Sequence, residues 1–505
     1  ESFRLNVLSA ILVAVGAAAS VDLARRLSGS LALGLVAGLG ATLTPIIWAI
    51  GTHADPHALH FTLIALMLWL LVRWEHGVRG NPVDPDDGPA RGPVERTRVD
   101  RLLVAAAVVT GLSVGNHSLT LLFGPSILAF VLAVAPGILR RPRLVAACIA
   151  AFAIPTILVR FELVLRAGWF RAPFVYADPS TWEGFWYVTL GQQFHDWMTN
   201  PLADWPKRMS DLAQIAAGQL GPLAPLVVVA FVVTVVRQPR YALLTGITMG
   251  ITLFFNSVYP DGAIDRYYIV PALIAWTWLA ILGATIVDVL TGSQLAWEEP
   301  GDEGPSAADA GPAADAGPAA DAGPAADPDS AGPEARPTGA GVPGGRSLLR
   351  PLGMALAGAI LIAPSLLAFP ARAREVDRTT DRAAERWTDD VLSALEPNAV
   401  VVSWWSYSTP LWYATIVDGR RTDICIIDDR NRLDYNLGDL DQVIDRYIAT
   451  RPVYLIRNGS GELAALDGRY TIVPLGAPSA PNVLRVTART GAPATPAAAT
   501  GEPCR

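Results

Sequence analysis

Apolar runs about 20 residues long recur along the first 370 positions, each broken by a short polar or proline-bearing stretch. That is the length a helix needs to cross a hydrocarbon core of roughly 30 Å. The pattern predicts ten candidate spans, at 5–24, 31–50, 58–74, 102–115, 118–139, 144–165, 219–236, 241–258, 268–290 and 350–370. The fourth is short, and Gly111, Gly115 and Pro125 interrupt the pair it forms with the fifth. Those two read as clean crossings or as broken, re-entrant helices.

Arginine gathers in alternate loops: Arg25 and Arg26, then Arg73 to Arg101, Arg140 to Arg143, Arg237 with Arg240, and Arg346 with Arg350. Positive residues near span ends mark the cytoplasmic side. The outer face then receives 51–57, 116–117, 166–218, 259–267 and everything after 370. Arg160, Arg166, Arg171, Lys207, Arg208 and Arg266 break the rule, in or beside the outer loops, which raises the question of an anionic ligand there.

Elsewhere the apolar pattern stops. Residues 81–100 are rich in Pro, Asp and Arg without apolar periodicity and read as a flexible loop. Residues 291–348 repeat Ala-Ala-Asp-Ala-Gly-Pro from Ala307 to Asp327 and have almost no large apolar residue, so a disordered spacer is expected. After the last span, apolar runs at Ala399–Ser403, Asp423–Ile427 and Val453–Ile456 alternate with helix patterns at Ser408–Val417 and Asp439–Thr450. This predicts a small α/β domain with a mostly parallel sheet. The expected fold class is therefore a polytopic α-helical membrane protein with a C-terminal soluble α/β domain. Its parts are a membrane domain at 1–290, the spacer at 291–348, a last span at 349–370, the α/β domain at 371–486 and a disordered tail at 487–505.

Composition agrees with a membrane protein: 51% of the 505 residues are hydrophobic and 17% charged. The apolar spans make the lipid bilayer a partner, and the net charge of −7, spread over loops and spacer, leaves no basic patch to propose nucleic acid. Lys207 is the single lysine among many arginines, a bias typical of a GC-rich genome. Cys148, Cys425 and Cys504 are too few and scattered for a disulfide framework or a metal knuckle. The chain meets its first span directly after Glu1, without the features of a signal peptide, and reads as cut there.

Four polar groups at the outer lip carry candidate chemistry. The first is His53, Asp55, His57 and His60. A helix starting near Pro56 would place His57 and His60 one turn apart on one face, with Asp55 near the N-cap. Such a group suits acid–base work, a phosphate or a divalent metal, and Asp55 also suits plain capping. The second, Asn116 and His117, is a polar plug between apolar runs, suited to lining a cavity or bonding a neighbouring helix. The third is the aromatic outer loop, where Trp182, Glu183, His195 and Asp196 combine ring platforms with polar edges. That combination fits an interfacial belt or a sugar-binding surface. The fourth is Arg266 with Tyr267, at the head of a span, where a guanidinium would clamp a phosphate, snorkel or pair with Asp265. No cofactor is required by the sequence, no metal ligand is assigned, and a divalent ion remains compatible with the first group.

Taken in order, Phe3-Arg-Leu-Asn-Val-Leu-Ser-Ala10, the stretch Trp48 to His60, Gly111-Leu-Ser-Val-Gly-Asn-His-Ser-Leu-Thr120 and Asp265-Arg-Tyr-Tyr-Ile-Val-Pro271 resemble the transmembrane O-mannosyltransferases of glycosyltransferase family 117, in the GT-C superfamily. The resemblance is weaker in the C-terminal region, at Pro410-Leu-Trp-Tyr413 and Arg420-Arg-Thr-Asp423. It implies a GT-C-like enzyme that moves a sugar, mannose in this family, from a polyprenyl-phosphate carrier to a protein or glycan acceptor on the outer face. The family's principal acid lies after its first span, a part missing from this chain if it starts before the second. Relatives carry Glu-Val-Tyr where this chain has Asp55-Pro-His57, which keeps the acid in kind and replaces the tyrosine. On this reading Arg266 holds the leaving phosphate, His53 or His57 helps, and Asp55 orients or acts as a second acid. His60, Asn116, His117, Tyr267 and the outer-loop group would contact substrate. A transporter of a lipid-linked sugar and a non-catalytic scaffold presenting the C-terminal domain stay open as alternatives, although inverted repeats and polar residues deep in several spans are not evident.

Overall fold

The computed structural model describes residues 2–81, 83, 88–90, 92–170, 172, 175–192, 195, 198–200, 203–259, 264–292, 346–457, 460–477 and 479–504. The chain divides into two compact units, Glu1–Thr156 with Thr199–Arg372, and Ile157–Met198 with Ala373–Arg505. The expected spacer falls almost wholly at 293–345 and lies outside the described residues.

The first unit is helical. It starts with α1 (Ser2–Ser28), α2 (Leu31–Thr42) and α3 (Pro45–Thr52). The predicted span 31–50 is bent by 67° between α2 and α3. Pro45 explains the break: it cannot donate, and it holds the preceding Thr44 in extended backbone. Next come α4 (Pro56–Arg79) and α5 (Pro93–Asn116). Residues 93–100, expected in a loop, are helical, with Pro93 in the first turn and Glu95 near the positive helix end. The fourth span is thus long, and the fifth is short: a 3-10 stretch, Ser118–Phe123, leads into the 11-residue α6 (Gly124–Val134).

Beyond α7 (Pro142–Ala167), α8 (Trp182–Thr189) belongs to the second unit. The helices α9 (Trp205–Leu220), α10 (Leu226–Arg237), α11 (Pro239–Val258), α12 (Ile269–Thr291) and α13 (Arg346–Val376) follow. The predicted span 219–236 is replaced by a bent pair, Trp205–Leu223 and Leu226–Arg237, with 78° between its halves at Ala224 and Pro225. Among the described residues seven helices are long and apolar enough to cross a membrane, or nine if each bent pair is one span, against the ten expected. The protein is therefore a multi-pass membrane protein.

Helix association in lipid depends on close fit and polar satisfaction, since lipid is as apolar as leucine. Gly34 and Gly38 let α2 lie against α1; a Cβ on Gly34 would sit 2.6 Å from the Val21 carbonyl oxygen. Helix α12 is buried along nearly all its length. Its polar atoms are matched: Trp276 Nε1 donates to Thr44 Oγ1 at 3.1 Å, Trp278 Nε1 to Thr245 Oγ1 at 3.0 Å, and Thr277 bonds Tyr241 at 2.7 Å.

The second unit is α/β. After α14 (Ala383–Ala394) come β1 (Val400–Val402), α15 (Trp405–Trp412), β2 (Cys425–Ile427), α16 (Asp429–Asp434), α17 (Leu440–Tyr447), β3 (Val453–Ile456), α18 (Ser460–Ala464), β4 (Tyr470–Pro474) and β5 (Val483–Arg489). The sheet order is β2-β1-β3-β5-β4. The first three strands are parallel and the last two antiparallel, so the sheet is mixed. The helix predicted from Ser408 begins earlier, at Trp405, and past Pro410 it widens into a π-turn, Tyr413–Val417. Residues 157–198 belong to this unit and pack within it: Tyr176 donates to Asp428 at 3.4 Å, and Arg430 donates to the Tyr187 hydroxyl at 3.0 Å.

Two expectations are corrected here. The tail from Thr487 is ordered: β5 continues to Arg489, and Glu502 accepts from Tyr447 at 2.6 Å. Cys425 and Cys504, thought too scattered, form a disulfide across a sequence separation of 79. Folding brings the tail back beside the edge strand β2, which spacing alone does not show.

Candidate functional site

The lip between α3 and α4 is fixed by Asp55 and Pro56. Asp55 is the N-cap of α4, accepting the His57 backbone N–H at 2.8 Å, and Pro56 fills the first turn, where no donor is needed. The Asp55 N–H donates to Ser9 of α1 at 3.3 Å, and Asn116 Nδ2 donates to the Pro56 carbonyl at 3.3 Å. The segment is thus held from two sides.

Asp55 does more than cap. Its Oδ1 lies 2.7 Å from His57 Nδ1, and its Oδ2 lies 3.4 Å from His53 Nε2 and 4.0 Å from Arg266 Nε. Burial alone would raise this carboxyl, but hydrogen bonds from His53 and His57 hold it well below the usual carboxylate range. An ionised Asp55 accepts from His57 Nδ1–H, and in the neutral tautomer this selects, Nε2 carries the lone pair. That Nε2 is buried, without a hydrogen-bond partner, as is Nδ1 of His60.

His57 and His60, one turn apart on α4, meet His117 from the end of α5. The ring centroids are 5.2 Å apart for His57 and His117, and 4.8 Å for His60 and His117. Tyr267 completes the wall at 5.7 Å from His117. These residues and Arg266 line a cavity of about 380 Å³, counting the space at its mouth. Leu122, Phe123, Phe255 and Val270 form its apolar side. Thr252 and Asn256, on α11, also line it and were not nominated from sequence. The available signal was an amide inside the apolar run Leu253-Phe-Phe-Asn-Ser-Val258. Among the described residues no set of three His, Cys, Asp or Glu side chains is placed to hold a metal ion.

Asp55, His53, His57, His60, Asn116, His117, Arg266 and Tyr267 therefore share one neighbourhood. The outer-loop candidates do not join the cavity's lining. Trp182 and Glu183 are exposed on α8, where Trp182 packs edge-on against Trp186 at 5.5 Å, and His195 Nε2 lies 3.2 Å from the Leu190 carbonyl. Asp196 and Arg171 lie outside the described residues. Of the other cations that broke the orientation rule, Lys207 pairs with Asp211 at 2.8 Å, Arg166 pairs with Glu162 at 2.8 Å, and Arg208 bonds Thr199, Asn200 and Ala203. Their charges are engaged locally.

Fold and site together define a class: a multi-pass helical membrane protein with a polar cavity at one lip and a separate α/β unit. Residues 2–136 match the profile of the protein O-mannosyl-transferase TMEM260 N-terminal domain. No curated protein matches the chain. Two solved structures of ArnT from Cupriavidus metallidurans align with it. The one bound to undecaprenyl phosphate is 12% identical with a TM-score of 0.48, and the apo form is 11% identical with a TM-score of 0.46. Each alignment covers 95% of this chain and 83% of the other. At those scores the alignments carry no argument about this chain.

Proposed function

We propose that the chain is a GT-C-type membrane glycosyltransferase that moves a sugar, mannose by the family resemblance, from a polyprenyl-phosphate carrier to a protein or glycan acceptor on the outer face. The supporting observation is the meeting of two complementary groups at one cavity: a buried imidazole oriented by a carboxylate, and a half-exposed guanidinium at 4.0 Å from that carboxylate. In the transfer, the acceptor oxygen bonds to the anomeric carbon while the bond from that carbon to the phosphate oxygen breaks. The acceptor's proton goes to His57 Nε2, and Arg266 stabilises the departing phosphate. Asp55 fixes the His57 tautomer rather than taking the proton itself. The site residues His53, His60, Asn116, His117 and Tyr267 shape the wall that receives the carrier head.

The Cys425–Cys504 disulfide supports placing the α/β unit outside the cytoplasm, because disulfides persist in oxidising compartments. The test is to incubate the purified full chain with labelled polyprenyl-phosphate mannose and cell-envelope protein. Label in protein, lowered about 10²- to 10³-fold in Arg266→Ala, is expected. Label carried across a vesicle without covalent transfer would mean a transporter, and neither outcome would mean a scaffold.

A further inference from the structure

Asn256 and Thr252 stand one turn apart on α11 and line the cavity with more than nine-tenths of their surface buried. Thr252 donates back to the Thr248 carbonyl at 2.8 Å, which leaves its oxygen lone pairs available. Neither Oδ1 nor Nδ2 of Asn256 makes a well-aligned hydrogen bond. The Tyr268 phenol lies within bonding reach of that amide and can engage one of its two ends, which leaves the other open toward the cavity. A buried amide with an end unmatched loses hydration there without compensation, and such groups in native proteins call for an explanation.

The chemistry of the gap limits the ligand. A primary amide offers a donor and an acceptor side by side, which matches two neighbouring hydroxyls of a sugar ring, and it has no charge to attract a phosphate. Arg266 supplies that charge separately.

We propose that Asn256 is the specificity-determining residue of this cavity, reading the hydroxyls of a neutral hexose whose phosphate faces Arg266, with Thr252 as a second acceptor. The assignment rests on the glycosyl-carrier reading above. It also implies that the amide is kept for the ligand and not for the fold.

The test measures binding of polyprenyl-phosphate mannose and of bare polyprenyl phosphate to the full chain in nanodiscs, for wild type, Asn256→Ala and the similarly sized Asn256→Leu. Wild type should prefer the glycosylated carrier, and both variants should lose about tenfold or more of that preference while holding the bare carrier unchanged. The Tm of Asn256→Leu should equal or exceed that of wild type, since an unmatched dipole is removed without a cavity. Retained preference in the variants would overturn the role of Asn256 and leave the glycosyl-carrier reading intact. A Tm several degrees lower in Asn256→Leu would make the amide structural and overturn it too. Wild type binding neither carrier would bring down both readings.

Discussion

At the end of the first unit where α12 finishes, Asp288 accepts from Arg350 at 2.9 Å and faces Arg237 at 3.4 Å. At the same end Asp22 receives Arg25, Arg26 and the Trp69 indole between 2.7 and 2.8 Å. At the end where α12 begins, Asp55 is similarly engaged, but beside it His57 Nε2, His60 Nδ1 and an end of the Asn256 amide are buried without a matching protein group. Both ends keep polar groups in apolar surroundings, which is costly. Where the carboxylates are matched by protein groups, the cost is offset within the fold and helices are held in register. Where imidazoles and an amide stay open around one cavity, the offset has to come from a ligand. Burial of polar residues does not distinguish the two ends, and Arg237 Nη1 is unpaired at the matched one; the difference is that the unpaired groups at the lip line one cavity.

The sharpest way to break this comparison is Asp55→Asn. Asparagine caps a helix as well as aspartate does, but it gives up the ionised carboxyl that His53 and His57 hold below its ordinary range, so thermal unfolding should show a loss of about 1–3 kcal/mol. The neutral amide no longer fixes the His57 tautomer, and transfer should fall by about 10²- to 10⁴-fold in kcat. Equal activity would reduce Asp55 to a cap. The pH dependence adds a second reading. A carboxyl depressed below its ordinary 3.8 contributes stability above that value, and loses it only as pH falls through the lower folded-state value. Asp55 therefore stays charged between pH 5 and 8. A rate that rises with pH in that window reports an imidazole.

At the matched end the effect should be on the fold. Asp288→Ala leaves Arg237, itself nearly buried, without its carboxylate. Breaking a buried pair on one side costs about 3–5 kcal/mol, and the partial exposure of Arg350 places this case near the lower figure. Thermal unfolding of the purified protein should show the loss, while transfer per folded molecule stays within about twofold, well short of the 10²-fold expected of a lost catalytic donor. A selective loss of transfer would mean that the two ends are not separable in this way.

How far the sequence led depends on the range of each signal. Apolar length located the helices, because a span is a local property, but it could not see that Pro45 bends one or that Pro93 starts another well outside the apolar stretch. His53, Asp55, His57 and His60 lie within eight residues and were legible as a group. Their meeting with His117 and Arg266 was legible only through order and resemblance, since it depends on how α4, α5 and the start of α12 pack. Asn256 was passed over as one polar residue in an apolar run, and its unmatched amide exists only in three dimensions. Cys425 and Cys504 failed for the same reason, as β2 and the chain's end become neighbours only when the tail folds back.

The smallest expected effect tests whether positive charge matters in general or only where it is unmatched. Lys207 and Asp211 form an exposed pair one turn apart on α9, and such pairs contribute about 0.3–0.5 kcal/mol. The ammonium is already neutralised by a neighbour and screened by salt over roughly 8 Å. Lys207→Ala should then change the affinity for bare polyprenyl phosphate by less than about twofold at physiological ionic strength, and leave Tm nearly unmoved. Arg266→Ala, removing a cation whose nearest carboxylate is already held by two histidines, should weaken the same binding about tenfold or more. If the two substitutions weakened binding equally, the phosphate would be attracted by diffuse surface charge, and the lip would lose its claim to be the place where pairing was left incomplete for a ligand.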